Sequence, residues 1–539
     1  MTAAADLLLV DGEVHAMTEP DEVHEALAVR DGEIVAVGRT REIEFLAGVE
    51  TGVIDCEGRV ILPGFIDAHT HVEQLGQHLV HANLSSAGNL GECVDLLARH
   101  AEDEPDREWI LGFGYDESEW GGGESERDGD EGGGDRTGES RRLRREDLDR
   151  VSEERPVVAM RVDLHTASLN SVALERLADD LPGSDLLRDR DGNPTGVAVE
   201  DAAETVRKTI TAGPDEMREI LTAATEHAVS LGVTGVHDKV RGSSAPRVYR
   251  EMAADGDLPL RVRIDYWSDH LEGLVDVGLT TNAGSDFVRT GAIKSFSDGS
   301  FGSRTARLSE PYLDADGGET EAEDDDRGQW VVDPDDLADL VEQADAEGFQ
   351  VCVHAIGDDA IEGALSALEA TPDPETARHR IEHVLLATDD QIARMAEAGI
   401  VASMQPNFHR WAQEGGLYDQ RLGEERRKRT NRLRRVLEAG VPLAFGSDCM
   451  PLDPLLGVHH AVNAPTEAQR LTVTEALRAY TYGAAFAGFD EDRLGTLEVG
   501  KKADIVVPEE SPWDYPDHID EIDVSTTIVD GRIVYSSDD

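Results

Sequence analysis

The sequence predicts an α/β protein: a TIM-type (β/α)8 barrel, a small β-sandwich formed by both chain ends, and an inserted α+β subdomain. Three observations predict it. Eight apolar, β-prone runs occur at residues 60–67, 233–237, 260–266, 289–296, 349–354, 379–383, 400–404 and 442–447, and from the second onward helix-length sequence separates them. Both chain ends carry strand candidates joined by Asp-Gly turns, and neither end alone has enough strands to bury a core. The gap from residue 78 to about 225 is far too long for one βα connection.

In chain order, Asp6-Leu7-Leu8-Leu9-Val10, Ala26-Leu27-Ala28-Val29 and Ile34-Val35-Ala36-Val37 read as strands, with hairpin turns at Asp11-Gly12 and Asp31-Gly32. The far end repeats the pattern in residues 503–507 and 526–535, the latter turning at Asp530-Gly531. Residues 1–59 plus 491–539 are therefore expected to form one composite sandwich. The barrel takes residues 60–78 plus 226–490, with helices at Pro334 to Ala346 and Asp389 to Ala398. Residues 79–225 make the insert, in which Gly121 to Ser140 is glycine-rich and charged and reads as a solvated loop. The length of 539 residues exceeds the roughly 250 of one such barrel, in keeping with these additions.

Fifty basic residues against 112 acidic ones give a net charge of −62, which argues against nucleic acid or an anionic membrane as partner. The acidic blocks near residues 102–107, 119–135, 314–326 and 509–523 spread the excess along the chain, and only six lysines occur. Such a surface stays soluble where salt screens its self-repulsion, so a halophile's cytoplasm is the expected setting. Cys56, Cys93, Cys352 and Cys449 form no CxxC pair and are expected as free core thiols. Residues 1–10 lack a basic region and a cleavage signal, and no 18-residue apolar run occurs, so a soluble cytoplasmic protein is expected.

Five strand ends carry residues that bind divalent metal or take protons: Asp67-Ala68-His69-Thr70-His71, Lys294, His354, His383 and Asp448. A barrel keeps its active site at the carboxyl ends of its strands. His69 and His71, two apart, share one strand face and can approach one ion. His354, His383 and Asp448 complete an N/O-rich set suited to Zn²⁺ or a similar ion, which lowers the pKa of a bound water to roughly 7. Asp448 is then the candidate catalytic base, returning the proton to a leaving amine. Lys294 makes no sense as an ammonium beside a dication; burial lowers its pKa, and the neutral amine can add CO₂ to give an anionic carbamate able to bridge two metals.

That order of residues, headed by Leu62-Pro63-Gly64-Phe65-Ile66-Asp67-Ala68-His69-Thr70-His71, resembles the amidohydrolase superfamily. Gly112-Phe113-Gly114-Tyr115-Asp116-Glu117 with Trp120, Arg161 to Thr166 with Asn170-Ser171, Asp298 to Ala306, His354-Ala355-Ile356-Gly357-Asp358, Ile381-Glu382-His383, Gln405-Pro406 and Gly495 to Asp504 look like its amidohydrolase 3 branch. The resemblance runs from about residue 6 to 535 and is nearest the YtcJ-like metal-dependent hydrolases, related to N-substituted formamide deformylase. It implies metal ligands at His69, His71, His354, His383 and Asp448, a carboxylated Lys294 in two-metal members, and an insert over the barrel mouth. The metal count, one or two ions, stays open, and zinc is the reading for the metal itself. Two departures stand out: Asp163-Leu164-His165 replaces the usual Asp-Gly-His, and the loop near Gly121 to Ser140 looks inserted.

Tyr115, Trp120 and His165 from the insert are candidate substrate contacts, with core packing as the other reading. Arg304, beyond Lys294, is a fourth contact candidate; with Asp298 it is also read as orienting the loop or the carbamate. His237 is placed behind the ligands. The expected function is metal-dependent hydrolysis of a carbon–nitrogen bond in a small nonpeptide amide, cyclic amide or formamide by metal-activated hydroxide. A noncatalytic scaffold and a hydrolase of esters or lactones are the alternatives; a serine hydrolase would need a Gly-x-Ser-x-Gly elbow, which is absent. The partners expected are a small-molecule substrate and a second copy in a homodimer, with no nucleic acid and no membrane.

Overall fold

The computed structural model describes residues 4–117, 120, 142–163, 165–313 and 325–538. The Gly121 to Ser140 loop, Leu164 and most of the 314–326 acidic block lie outside them. The chain divides into two compact units, Met1–Val72 with Thr225–Asp539, and Glu73–Ala224.

The first unit contains eight parallel strands: β1 (Phe65–Thr70), β2 (Val233–Val240), β3 (Arg261–Trp267), β4 (Val288–Phe296), β5 (Val351–Ala355), β6 (Arg380–His383), β7 (Val401–Met404) and β8 (Leu443–Phe445). They pair in chain order from β1 to β8. Between β8 and β1 there is no ladder. Side chain and loop close the ring instead: both Asp67 carboxylate oxygens accept the Ser447 N–H at 3.1 Å, and the Asp448 N–H donates to the His69 carbonyl at 2.7 Å. The helices Pro334–Ala346 and Asp389–Ala398 occupy the stretches their spacing marks. Asp333 caps the first, a Thr388/Gln391 capping box starts the second, and Gly399 at φ +66° ends it.

The run at 60–67 proves to be two strands. Val60–Pro63 joins the sandwich, parallel to Glu13–His15 and antiparallel to Ile505–Pro508, and β1 starts afresh at Phe65. Gly64 makes the break: a Cβ there would lie 2.2 Å from Thr234 Cγ2, so only glycine lets the chain change sheets against β2. The second run extends past His237 to Val240, because Asp238 and Lys239 are buried by polar partners and leave no apolar signal.

The sandwich packs a four-stranded sheet (Glu33–Gly38, Ala26–Arg30, Leu7–Val10, Gly52–Asp55) around a shared core with a six-stranded one that includes Val524–Val529 and Arg532–Ser536. Asp31-Gly32 and Asp530-Gly531 make two-residue hairpins with both residues at positive φ. Asp11-Gly12 does not: Leu7–Val10 and Glu13–His15 belong to different sheets, so that turn is a crossover.

The second unit is a six-stranded mixed sheet (Leu186–Arg188, Pro194–Val199, Thr166–Leu169, Val157–Arg161, Ile110–Tyr115, Ala82–Asn83) with helices including Leu90–Asp103, Ser171–Leu177 and Glu200–Thr209, an α+β arrangement. Among the described residues no helix is long and apolar enough to cross a membrane.

Candidate metal centre

His69 lies in β1 and His71 one residue past its end; His354 lies in β5, His383 ends β6, and Asp448 follows β8 by three residues. Strand geometry aims His69 and His71 at the same side. Asp448 reaches them because its own N–H is held on the His69 carbonyl and its backbone turns at φ +57°, followed by Cys449 at +56°. The chain leaves β6 in the same left-handed region, His383 at +76° and Val384 at +50°, a costly conformation for a β-branched residue and a mark of local strain at this end of the barrel.

His69, His383 and Asp448 each offer a ligand atom, all within 4.8 Å of one another. Asp448 Oδ1 sits 3.4 Å from His69 Nε2 and 3.2 Å from His71 Nε2. The His354 ring lies 4.5 Å from that of His383, centroid to centroid, and His383 lies 4.9 Å from His69. Each buried ring has its second nitrogen engaged. His69 Nδ1 donates to Glu382 Oε2 at 2.5 Å, His383 Nδ1 to Gln405 Oε1 at 2.7 Å, and His354 Nε2 to the Gly299 carbonyl at 3.0 Å. These partners only accept, so His69 and His383 present a bare Nε2 and His354 a bare Nδ1.

Burial pushes the His69 and His354 imidazoles well below their usual pKa and brings His383 to about 4, so all three are neutral donors. Burial alone would raise the Asp448 carboxyl, but the hydrogen bond from His71 leads the contacts that hold it well below the usual carboxylate range. Lys294, in β4, is 1% exposed; burial lowers its pKa, and Nζ has no hydrogen-bond partner, lying 4.6 Å from the Phe296 ring centre. Phe296 in turn stacks on His354 at 4.7 Å. Neutral imidazoles, one carboxylate and an orphaned buried amine fit a divalent ion in a nitrogen–oxygen set.

Beneath the imidazoles the barrel interior is ionic, which the apolar-run reading missed. Glu382 and Arg380, both fully buried, pair at 2.8 Å; Arg380 also donates to the Ala68 carbonyl, Ser403 Oγ and His237 Nδ1. Lys239 pairs with Asp265 at 2.5 Å, both fully enclosed. The available signal was Arg380-Ile381-Glu382-His383 itself, a strand with three polar residues out of four. His237 lies mid-strand in β2 and meets Arg380; no ligand candidate touches it among its hydrogen bonds. Asp298 accepts the N–H groups of Ile356, Gly357 and Arg307, joining the segments after β4 and β5, and Oδ1 lies 3.5 Å from His354 Nε2. Arg304 is exposed at φ +57° in the segment after β4.

The other three candidate contacts belong to the second unit. Tyr115 is fully buried in its core with its hydroxyl 3.1 Å from Ser168 Oγ; Trp120 donates Nε1–H to the Ala87 carbonyl and is half-buried; His165 is exposed with Nδ1 3.3 Å from Glu200.

The model of a family described as the amidohydrolase family matches residues 52–535. The chain is 30% identical to the putative amidohydrolase YtcJ of Bacillus subtilis (strain 168), over 97% of this chain and 98% of that protein. It is 27% identical to the N-substituted formamide deformylase of Arthrobacter pascens, over 99% of both chains. Among solved structures, an uncharacterized metal-dependent hydrolase from Pyrococcus furiosus superposes with a TM-score of 0.76 at 30% identity, covering 94% of this chain and 99% of that one. With the family model spanning most of its length and relatives matching it end to end, the chain belongs to the amidohydrolase family.

Proposed function

We propose that the protein hydrolyses a carbon–nitrogen bond of a small nonpeptide amide, cyclic amide or formamide. The observation that carries this reading is the convergence of His69, His71, His383 and Asp448, with Glu382 and Gln405 leaving Nε2 bare on His69 and His383. His69, His71, His354, His383 and Asp448 are the proposed ligands of a divalent ion, zinc first. A carbamate on Lys294, formed when its neutral amine adds CO₂ and releases a proton, is the proposed bridge to a second ion. When bound, such an ion polarises the substrate carbonyl and acidifies water. Asp448, ionised at neutral pH, takes the proton from the attacking water and returns it to the departing nitrogen. Arg304 is the proposed substrate contact on this unit.

The formamide deformylase similarity, and 26% identity to the imidazolonepropionase of Symbiobacterium thermophilum over 94% of this chain and 89% of that one, support the bond class. The net charge of −62 supports a high-salt cytoplasm as the setting. The test is purified protein supplied with Zn²⁺, Mn²⁺ or Fe²⁺ and screened against formamides, linear amides, hydantoins, lactones and esters. Turnover confined to the nitrogen compounds is expected; turnover of esters and lactones alone, or none with any metal, overturns the assignment.

A further inference from the structure

Asp448 does not sit on a strand. It is the second residue of a four-residue turn, Ser447 to Met450, closed by Met450 N–H on the Ser447 carbonyl at 3.3 Å, with Asp448 at φ +57° and Cys449 at φ +56° in its middle. Two successive left-handed positions are the pattern of a mirror-image hairpin turn, which favours asparagine or aspartate followed by glycine. Aspartate tolerates the first position. A cysteine at the second is strained, because its Cβ crowds the following carbonyl oxygen. The turn that presents the carboxylate is therefore held by contacts outside itself.

Three of these contacts come from β1 and the residue after it: Ser447 N–H on Asp67, Asp448 N–H on the His69 carbonyl, and the Cys449 thiol on the His71 carbonyl at 3.2 Å. A fourth comes from the segment after β7. Asn407, 1% exposed, places one side-chain atom 2.9 Å from the Ser447 carbonyl oxygen and 2.8 Å from that of Met450. Two acceptors at one atom identify it as Nδ2, whose two hydrogens are then both used. One carboxamide thus ties the first and last residues of the turn and brackets Asp448 and Cys449. Its Oδ1 is buried without a hydrogen-bond partner, which costs stability, so the Nδ2 donors are what an apolar side chain of the same shape would lack. The same segment holds a second proposed ligand. Gln405 Oε1 accepts from His383 Nδ1 at 2.7 Å, and Phe408 lies parallel to the His383 ring with 5.8 Å between centres.

We propose that Asn407 is a positioning residue for Asp448: it keeps the turn in its left-handed form before an ion arrives, so that the carboxylate is already aimed at the imidazoles. The inference rests on Asp448 as a ligand in the reading above. Asn407 then governs affinity for the divalent ion through the turn, by its two hydrogen bonds.

The probe is Zn²⁺. Its affinity is measured by competition with a chromophoric chelator in the full chain and in Asn407→Leu, each with Asp448 intact and with Asp448→Ala, where the histidines remain to hold the ion. Losing a supporting hydrogen bond behind a ligand lowers metal affinity about 10–100-fold, and about tenfold is expected for Asn407→Leu with Asp448 present. With Asp448→Ala the same change should cost less than about threefold, because the residue it positions is gone. A loss under about threefold with Asp448 present, or an equal loss in both backgrounds, overturns the proposal; the equal loss is what general loosening of the fold would give. Amide hydrogen exchange on the metal-free wild type needs no variant. The Asp448 and Met450 amides should stay protected, and exchange at the free-peptide rate would show that the ion holds the turn and overturn the proposal. Neither readout uses a substrate, so failure to hydrolyse any amide sinks the function proposed above and leaves this inference standing. A wild type that holds no Zn²⁺ sinks the metal reading, and the exchange measurement then decides for Asn407.

Discussion

Replacing Glu382 by Gln tests whether the buried carboxylate sets the metal centre. Glu382 accepts from His69 Nδ1 at 2.5 Å and pairs with Arg380 at 2.8 Å, with no solvent reaching any of the three beyond 1% exposure of His69. Glutamine keeps the shape and removes the charge. Loss of such a partner behind a ligand histidine lowers metal affinity about 10–100-fold, or ~1.4–2.7 kcal/mol. The same change leaves Arg380 with Asp265 at 3.8 Å and neutral acceptors, and breaking a buried pair costs about 3–5 kcal/mol. Because those acceptors remain, the lower end of that range is expected here. Metal affinity is read by competition with a chromophoric chelator, and stability by thermal unfolding in excess chelator. A variant that loses stability yet holds metal within about threefold of wild type would refute the argument that Glu382 positions His69 for the metal.

Three further outcomes follow from the same geometry. Asp448→Asn should lower kcat/KM by roughly 10²–10⁴ with the unfolding temperature kept within a few degrees, since the change removes a proton acceptor and a ligand charge while keeping its shape. For pH, the ligand form of an imidazole is neutral, and a lowered pKa means protons compete only at lower pH. His383 is brought to about 4. Metal should therefore stay bound as pH falls below the usual histidine value of about 6.5 and leave as it nears about 4; release complete by pH 6 would contradict the burial argument. Lys294→Met should retain the fold, because an unpaired buried amine is exchanged for an apolar chain of similar length, and should reduce metal stoichiometry in protein prepared with bicarbonate. Unchanged stoichiometry and unchanged turnover would remove the carbamate from the mechanism.

The barrel was legible because most of its strands are apolar runs of strand length separated by helix-length segments, among them Pro334–Ala346 and Asp389–Ala398. The candidate site was legible because its chemistry is confined to residue types that few other roles demand at strand ends. What escaped was everything that depends on which face of a strand looks inward. Lys239, Asp265, Arg380 and Glu382 are charged, and charge in a sequence reads as solvent, yet they fill the barrel interior by neutralising one another. The end of β2 was misplaced for the same reason. The division at Gly64 was hidden because sheet-switching depends on the nearness of Thr234, 170 residues away, which local pattern does not encode.

The closure of the ring by Asp67 and Ser447 joins positions 380 residues apart, and it does so beside His69 and Asp448. Loop closure across such a span is among the last events of folding, since its entropy must be met before its contacts reward it. As the chain leaves the ribosome, His69 and His71 are made early and stay without their carboxylate until the eighth strand arrives. With Asp448 as a proposed ligand, tight capture of metal would be withheld from every partial chain, and a bound ion would mark a finished barrel.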